Sequence, residues 1–115
     1  IGSPRMTILR GRCVDGSFVS GSLRLPLPPA VTARAGVLAG VRPEDVEVVS
    51  GPAVEAVPVR LELAEPLGDR TLVTLDAGGA LLRAFVKPPF PTEGLAVRFA
   101  PASLHWFRED SGDRL

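Results

Sequence analysis

The sequence has no tyrosine and only one cysteine, one tryptophan, one methionine and one histidine, and Lys87 is its lone lysine. Cys13 therefore has no partner for an intrachain disulfide and no second thiol with which to share a zinc ion, so a reducing cytoplasm is the simplest expectation. No uninterrupted apolar run approaches the roughly 18 residues of a membrane span, which excludes direct insertion as a helix. The segment Ile1–Met6 lacks the basic stretch and apolar run of a secretory signal, and reads as a cut inside a longer protein. Neither sign of charge is in excess: thirteen Lys plus Arg balance thirteen Asp plus Glu. A neutral chain offers no global field for nucleic acid or an anionic membrane surface, so partners must be selected by local shape.

What is abundant is punctuation. Twelve glycines and twelve prolines interrupt 115 residues of which 45% are hydrophobic. The apolar content is too high for a disordered chain, and the length fits a single domain over residues 1–115. Between the breaks lie short runs rich in Val and Leu, as an all-β domain requires. Met6–Val14 and Phe18–Leu25 are expected to form a hairpin around Asp15-Gly16, a dipeptide suited to the positive φ angles of a tight turn. Leu27-Pro28-Pro29 forbids ladder hydrogen bonds, after which Ala35–Val41 resumes a strand. Arg42–Asp45 reads as a turn or one helical turn with its proline at the start.

Val46–Val49 is the next short strand. Val57–Leu63 alternates, which places Val57, Val59, Leu61 and Leu63 on one expected inner face. Thr71–Leu75 and Ala80–Val86 complete a meander, Leu95, Val97 and Phe99 alternate along another strand, and Leu104–Phe107 closes the set. Many short antiparallel strands with little helix to cover a sheet imply a small OB-like β-barrel, because closure removes exposed edges. A second barrel unit built on the Val57–Val86 meander is the weaker architecture.

Chemical machinery is sparse. The only lysine is followed by two prolines, so no Gly-Lys-Ser/Thr phosphate loop exists. His105 neighbours Trp106 and Phe107 with no nucleophile motif in the chain, and reads as an outward-facing residue of a terminal strand. Glu44-Asp45 and Glu109-Asp110 fall in turns, where acids cap backbone N–H groups or stay solvated. Phe85, Phe99, Trp106 and Phe107 do not alternate with basic residues as single-strand nucleic-acid platforms do, and read as core or dimer contacts. No catalytic, cofactor-binding or metal-binding residue emerges, and no enzyme activity is expected of this chain.

Four segments carry a family resemblance. They are Ile1-Gly2-Ser3-Pro4-Arg5-Met6-Thr7, Leu38-Ala39-Gly40-Val41-Arg42-Pro43-Glu44-Asp45-Val46, Glu65-Pro66-Leu67-Gly68-Asp69-Arg70-Thr71, and Leu104-His105-Trp106-Phe107 followed by Ser111-Gly112-Asp113-Arg114-Leu115. In this order they resemble the C-terminal regulatory region of maltose-type and glycerol-3-phosphate-type ABC importer ATPases, the TOBE (transport-associated OB) domain. Thr7 and Ser111 depart from the family's usual Asn and Thr.

The resemblance implies a non-catalytic regulatory and dimerisation domain. ATP and Mg would be bound by the rest of the parent subunit, with no cofactor here. Implied partners are a second copy of the subunit, the ABC ATPase domain, the membrane permease subunits reached through the parent, and a regulatory protein. The expected location is cytoplasmic, peripheral to the inner face of the membrane. Its expected partner surfaces are the Gly40, Arg42 and Glu44 corner with the Glu65 and Gly68 corner, and an exposed Trp106 and Phe107 patch. The alternative is a small-ligand, oxyanion-binding barrel, for which Ser20-Gly21-Ser22 is the nearest hydroxyl cluster.

Overall fold

A computed structural model describes residues 5–31, 36–51 and 53–115. The junction residues Ile1–Pro4 and the first expected residue of the Ala35–Val41 strand lie outside the described residues. The chain is all-β, with curled antiparallel sheets that form an OB-like half-barrel.

Among the described residues eleven strands fall into three sheets. The expected Met6–Val14 strand is broken at Gly11 into β1 (Thr7–Arg10) and β2 (Arg12–Val14). A Cβ at Gly11 would overlap the Val19 backbone carbonyl, so this close crossing of the two strands needs a glycine. β2 pairs with β3 (Ser17–Ser20), which pairs with β4 (Leu23–Pro26). Asp15 and Gly16, at φ 48° and 77°, make the β2–β3 turn, as the tight-turn chemistry anticipates.

The second sheet is built on β5 (Val37–Val41), which takes β1 on one side and β11 (His105–Arg108) on the other, so strands from both ends of the chain meet on it. All five residues of β5 are buried. Ala39 and Val41 enter the core, while Gly40 faces the other way and is covered by Met6 and Phe107. This double covering explains why the strand reads as an unbroken small-and-apolar run.

The largest sheet has the order β6-β10-β7-β8-β9, with β6 Glu47–Ser50, β7 Val57–Pro66, β8 Thr71–Ala77, β9 Ala80–Val86 and β10 Leu95–Arg98. The β7-β8-β9 meander forms in the expected order, but β7 runs past the expected Leu63 to Pro66, β8 runs past the expected Leu75 to Ala77, and the expected inner face fails at one residue. The β7–β8 register shifts between Leu61 and Leu63, so Glu62 is an extra residue and the alternation slips. Leu63 is 53% exposed, not on the inner face. One apolar cluster draws on all three sheets, from Leu9, Ala39 and Trp106 through Phe18 and Leu23 to Val73, Leu75, Leu82 and Val97.

Candidate docking and regulatory surfaces

The corner after β5 forms because Arg42 is extended, at φ −81° and ψ 145°, and Pro43 then starts a 3-10 turn over Pro43–Asp45. The Asp45 N–H donates to the Arg42 carbonyl at 3.0 Å and the Val46 N–H to that of Pro43 at 3.3 Å. Pro43 and Val46 are buried, which leaves Arg42, Glu44 and Asp45 exposed at a fixed corner.

Gly40, one of the expected surface residues, is buried. A Cβ there would overlap the Met6 sulfur and the Phe107 ring, so a larger residue would have to displace those two side chains. Gly40 and Phe107 are thus brought together by the β5–β11 pairing. Trp106 is a correction. Alternation along β11 turns it inward, where it is 6% exposed and meets Phe18 edge-to-face with ring centroids 5.5 Å apart. It ties the β2-β3-β4 hairpins to the β5 sheet and offers no exposed patch.

The same alternation turns His105 and Phe107 outward. His105 lies opposite Gly40 in register, and its ring nitrogens both meet guanidinium groups. Arg42 Nη1 lies 2.9 Å from Nε2, and Arg114 Nη2 contacts Nδ1. Arg114 is placed by a tail that folds back on β11: the Arg108 N–H donates to the Asp113 carbonyl at 2.8 Å, and the Leu115 N–H to the Trp106 carbonyl at 2.9 Å. Burial first, then the Arg114 and Arg42 charges, push the His105 proton affinity below its ordinary value, with Asp45 acting weakly the other way. Sequence reasoning set His105 aside as an outward strand residue; its pairing partners are 63 and 9 residues away in the chain. The only local signal was the alternation that puts it on the face opposite Trp106.

Glu65 and Gly68 sit at the far end of the β7–β8 hairpin, where the Leu67 N–H donates to the Arg70 carbonyl at 2.8 Å and Gly68 has φ 83°. No hydrogen bond or ion pair among the described residues joins this corner to the Arg42 corner. What links them is Phe85: the Arg70 guanidinium sits 3.7 Å above its ring centroid, and Phe85 in turn lines a 520 Å³ groove beside Glu44. The groove is lined by Val48, Val73 and Phe90 together with Glu44, Asp45, Glu47 and Lys87. Glu47 is held ionised below the usual carboxylate range by hydrogen bonds from Arg98, at 2.8 and 3.1 Å, and by its charge.

Of the Ser20-Gly21-Ser22 cluster, Ser20 is buried and its hydroxyl donates to the Arg10 carbonyl at 2.6 Å, while the Ser22 hydroxyl packs against Gly78. Among the described residues no group of three His, Cys, Asp or Glu side chains converges, and no helix is long and apolar enough to cross a membrane.

Comparison with known proteins places these features in a family. A model described as the CysA C-terminal regulatory domain matches residues 8–48, and a TOBE domain model matches residues 39–107. The chain is 34% identical, over 93% of its length, to 32% of the sulfoquinovosyl glycerol transport ATP-binding protein SmoE of Agrobacterium fabrum. It is 32% identical, over 100% of its length, to 34% of the sn-glycerol-3-phosphate import ATP-binding protein UgpC of Yersinia pestis. A 39% match over 57% of the chain covers 20% of the molybdate/tungstate import ATP-binding protein WtpC of Pyrococcus horikoshii. The chain spans about a third of the length of the first two relatives. The TOBE match runs from the core of β5, through the Arg42 corner and the meander, to Phe107, more than half of the chain, and on that ground the chain belongs to the TOBE domain family.

Proposed function

We propose that this chain is a single, non-catalytic regulatory and dimerisation domain of the ATP-binding subunit of a sugar-type ABC importer, working at the cytoplasmic side of the membrane. The observation that carries this reading is where the similarity falls. Two relatives named as ATP-binding proteins of sulfoquinovosyl glycerol and glycerol-3-phosphate transport match nearly all of this chain, yet it corresponds to only a third of each. ATP and Mg would then be handled by the remainder of the subunit, which also reaches the permease, while this part supplies contact surfaces, including one for a regulatory protein. His105 fits a non-catalytic role, since both its ring nitrogens face guanidinium groups rather than a hydroxyl or thiol to be activated.

For the second copy, the β7–β8 corner takes the place of the buried Trp106. Leu63 and Leu67 are 53% and 48% exposed around Glu65 and Gly68. Among the described residues β10 pairs with β7 only from Val57 to Val59 and no other strand pairs with that edge from Arg60 onward, which leaves its main chain to make contacts. Sedimentation across a concentration range tests this: self-association is expected for the native chain and its loss for a Leu63→Ser, Leu67→Ser double variant. A native chain that stays monomeric throughout removes the dimerisation role, and ATP hydrolysis by the purified chain would remove the non-catalytic one.

A further inference from the structure

The largest sheet ends in two strands that do not pair with each other. In the order β6-β10-β7-β8-β9 the outer edges belong to β6 and β9, and among the described residues no strand pairs with the outer side of either. Both edges line the 520 Å³ groove, β6 through Glu47, Val48, Val49 and Ser50 and β9 through Phe85 and Val86. The groove is therefore the seam at which the half-barrel stays open.

The direction of the free main chain follows from the bonds that are made. In an antiparallel ladder, residues whose N–H and C=O turn to one neighbour alternate with residues turned the other way. The Gly51 N–H donates to the Gly94 carbonyl at 2.8 Å, which continues the register that sets Ser50 opposite Leu95 and Val49 opposite Ala96. Gly51, Val49 and Glu47 are thus turned to β10, while Ser50 and Val48 turn their N–H and C=O outward, into the seam. Pro58 agrees with this phase: it lies opposite Ala96 on the other side of β10, a pair that needs no N–H when Ala96 is bonded to Val49 instead. Across the seam, the Arg83 N–H donates to the Thr7 hydroxyl oxygen at 3.3 Å, away from β8, so the N–H of Phe85, two residues on, also points off the sheet.

The lining carries charge of one sign in excess, with Glu44, Asp45 and Glu47 against Lys87. Arg98 takes up Glu47, whereas neither Glu44 nor Asp45 enters an ion pair among the described residues. Both are exposed at the fixed corner that leads into β6. Two uncompensated carboxylates beside apolar Val48, Val73 and Phe90 suit a segment with both basic and apolar side chains, and an extended chain presents two such sets on opposite faces.

We infer that the outer edge of β6 accepts an extended segment of a partner protein, alternating apolar and basic residues, as an added strand. Val48 and Ser50 supply the main-chain hydrogen bonds, and Glu44 and Asp45 attract the basic side chains. The inference rests on the regulatory reading above only for which protein brings the segment; the preference of the seam is a property of this chain and is tested by itself.

The probe is an eight-residue peptide alternating Lys with Val, blocked at both ends, followed by NMR and amide hydrogen exchange on the native chain. Saturable shifts are expected at Val48, Ser50 and Phe85, and the Val48 and Ser50 amides are expected to exchange about tenfold more slowly or less at saturation, because they become hydrogen-bonded. The same peptide with Glu in place of Lys is expected not to bind. A Glu44→Gln, Asp45→Asn double variant is expected to weaken binding about three- to tenfold, the loss of two exposed charge pairs. Ser50→Pro removes an outward N–H at an edge position that tolerates proline, and is expected to abolish binding while Trp106 fluorescence stays native.

No saturable shift with the Lys peptide overturns the inference using the native chain alone. So does equal binding of the Glu peptide, or shifts confined to the β7 edge from Arg60 onward. Val48 and Ser50 amides that are protected without peptide and lose protection on dilution would give the seam to a second copy, and so overturn the assignment to a partner protein. None of these results bears on whether the chain belongs to an importer subunit, which the ATP hydrolysis and sedimentation tests address separately.

Discussion

At the scale of single residues, His105 shows how two neighbours set the acid–base behaviour of a group that looked inert. Desolvation and two adjacent positive charges make the folded protein a poorer proton acceptor at this ring than the unfolded chain, whose midpoint is the ordinary 6.5. The unfolded state therefore takes up the proton first as pH falls. Stability from this site is fully present above about pH 6.5 and is lost as pH drops through the lowered folded-state midpoint. Glu47 has the same sign in a lower window: its carboxylate is stabilised by Arg98, so its contribution is present above 4.5 and disappears in more acidic solution. Urea denaturation of the native chain between pH 7.5 and pH 5 is expected to show a loss of stability that His105→Gln abolishes. A slope unchanged in that variant would assign the acid sensitivity elsewhere.

At the scale of elements, turn chemistry was the most legible part of the sequence, because a turn is decided by the few residues that make it. Asp15-Gly16 and the Gly78-Gly79 turn between β8 and β9 both have positive φ at both positions, and Pro43 does begin its 3-10 turn. Pairing partners were less legible, since nothing near Thr7 or His105 in the chain says that both strands lie against β5. The alternation of β7 was readable up to Leu61 and then failed, because an inserted residue changes the facing of everything beyond it without altering the pattern of residue types.

This difference is measurable. At concentrations low enough for the chain to be monomeric, Leu63→Ser is expected to change stability by no more than about 0.5 kcal/mol, as at an exposed position. Leu75→Ala, directly across from Leu61 and fully buried, is expected to cost about 2–5 kcal/mol. Equal losses at the two sites in chemical denaturation would restore the uninterrupted alternation.

At the scale of the whole molecule, the decisive contact is that of Trp106 with Phe18. An aromatic pair on a terminal strand reads equally as a patch for a partner or as core, and only the placement of β11 beside β5 decides that Trp106 faces in and Phe107 out. Once Trp106 is inside, it meets Phe18 of the hairpin sheet, and the same cluster continues through Leu23 to Leu75 and Leu82 of the largest sheet. Two barrel units with separate cores would leave the hairpin sheet and the meander energetically independent. A shared core couples them, because removing either sheet exposes apolar surface on the other. Trp106 fluorescence, which reports the contact between two sheets, and far-UV circular dichroism, which reports strands in all three, are therefore expected to trace a single coincident unfolding transition. Phe18→Ala should move both signals together, by about 3–5 kcal/mol. A hairpin that melts on its own would separate the two curves and divide the chain into two folding units.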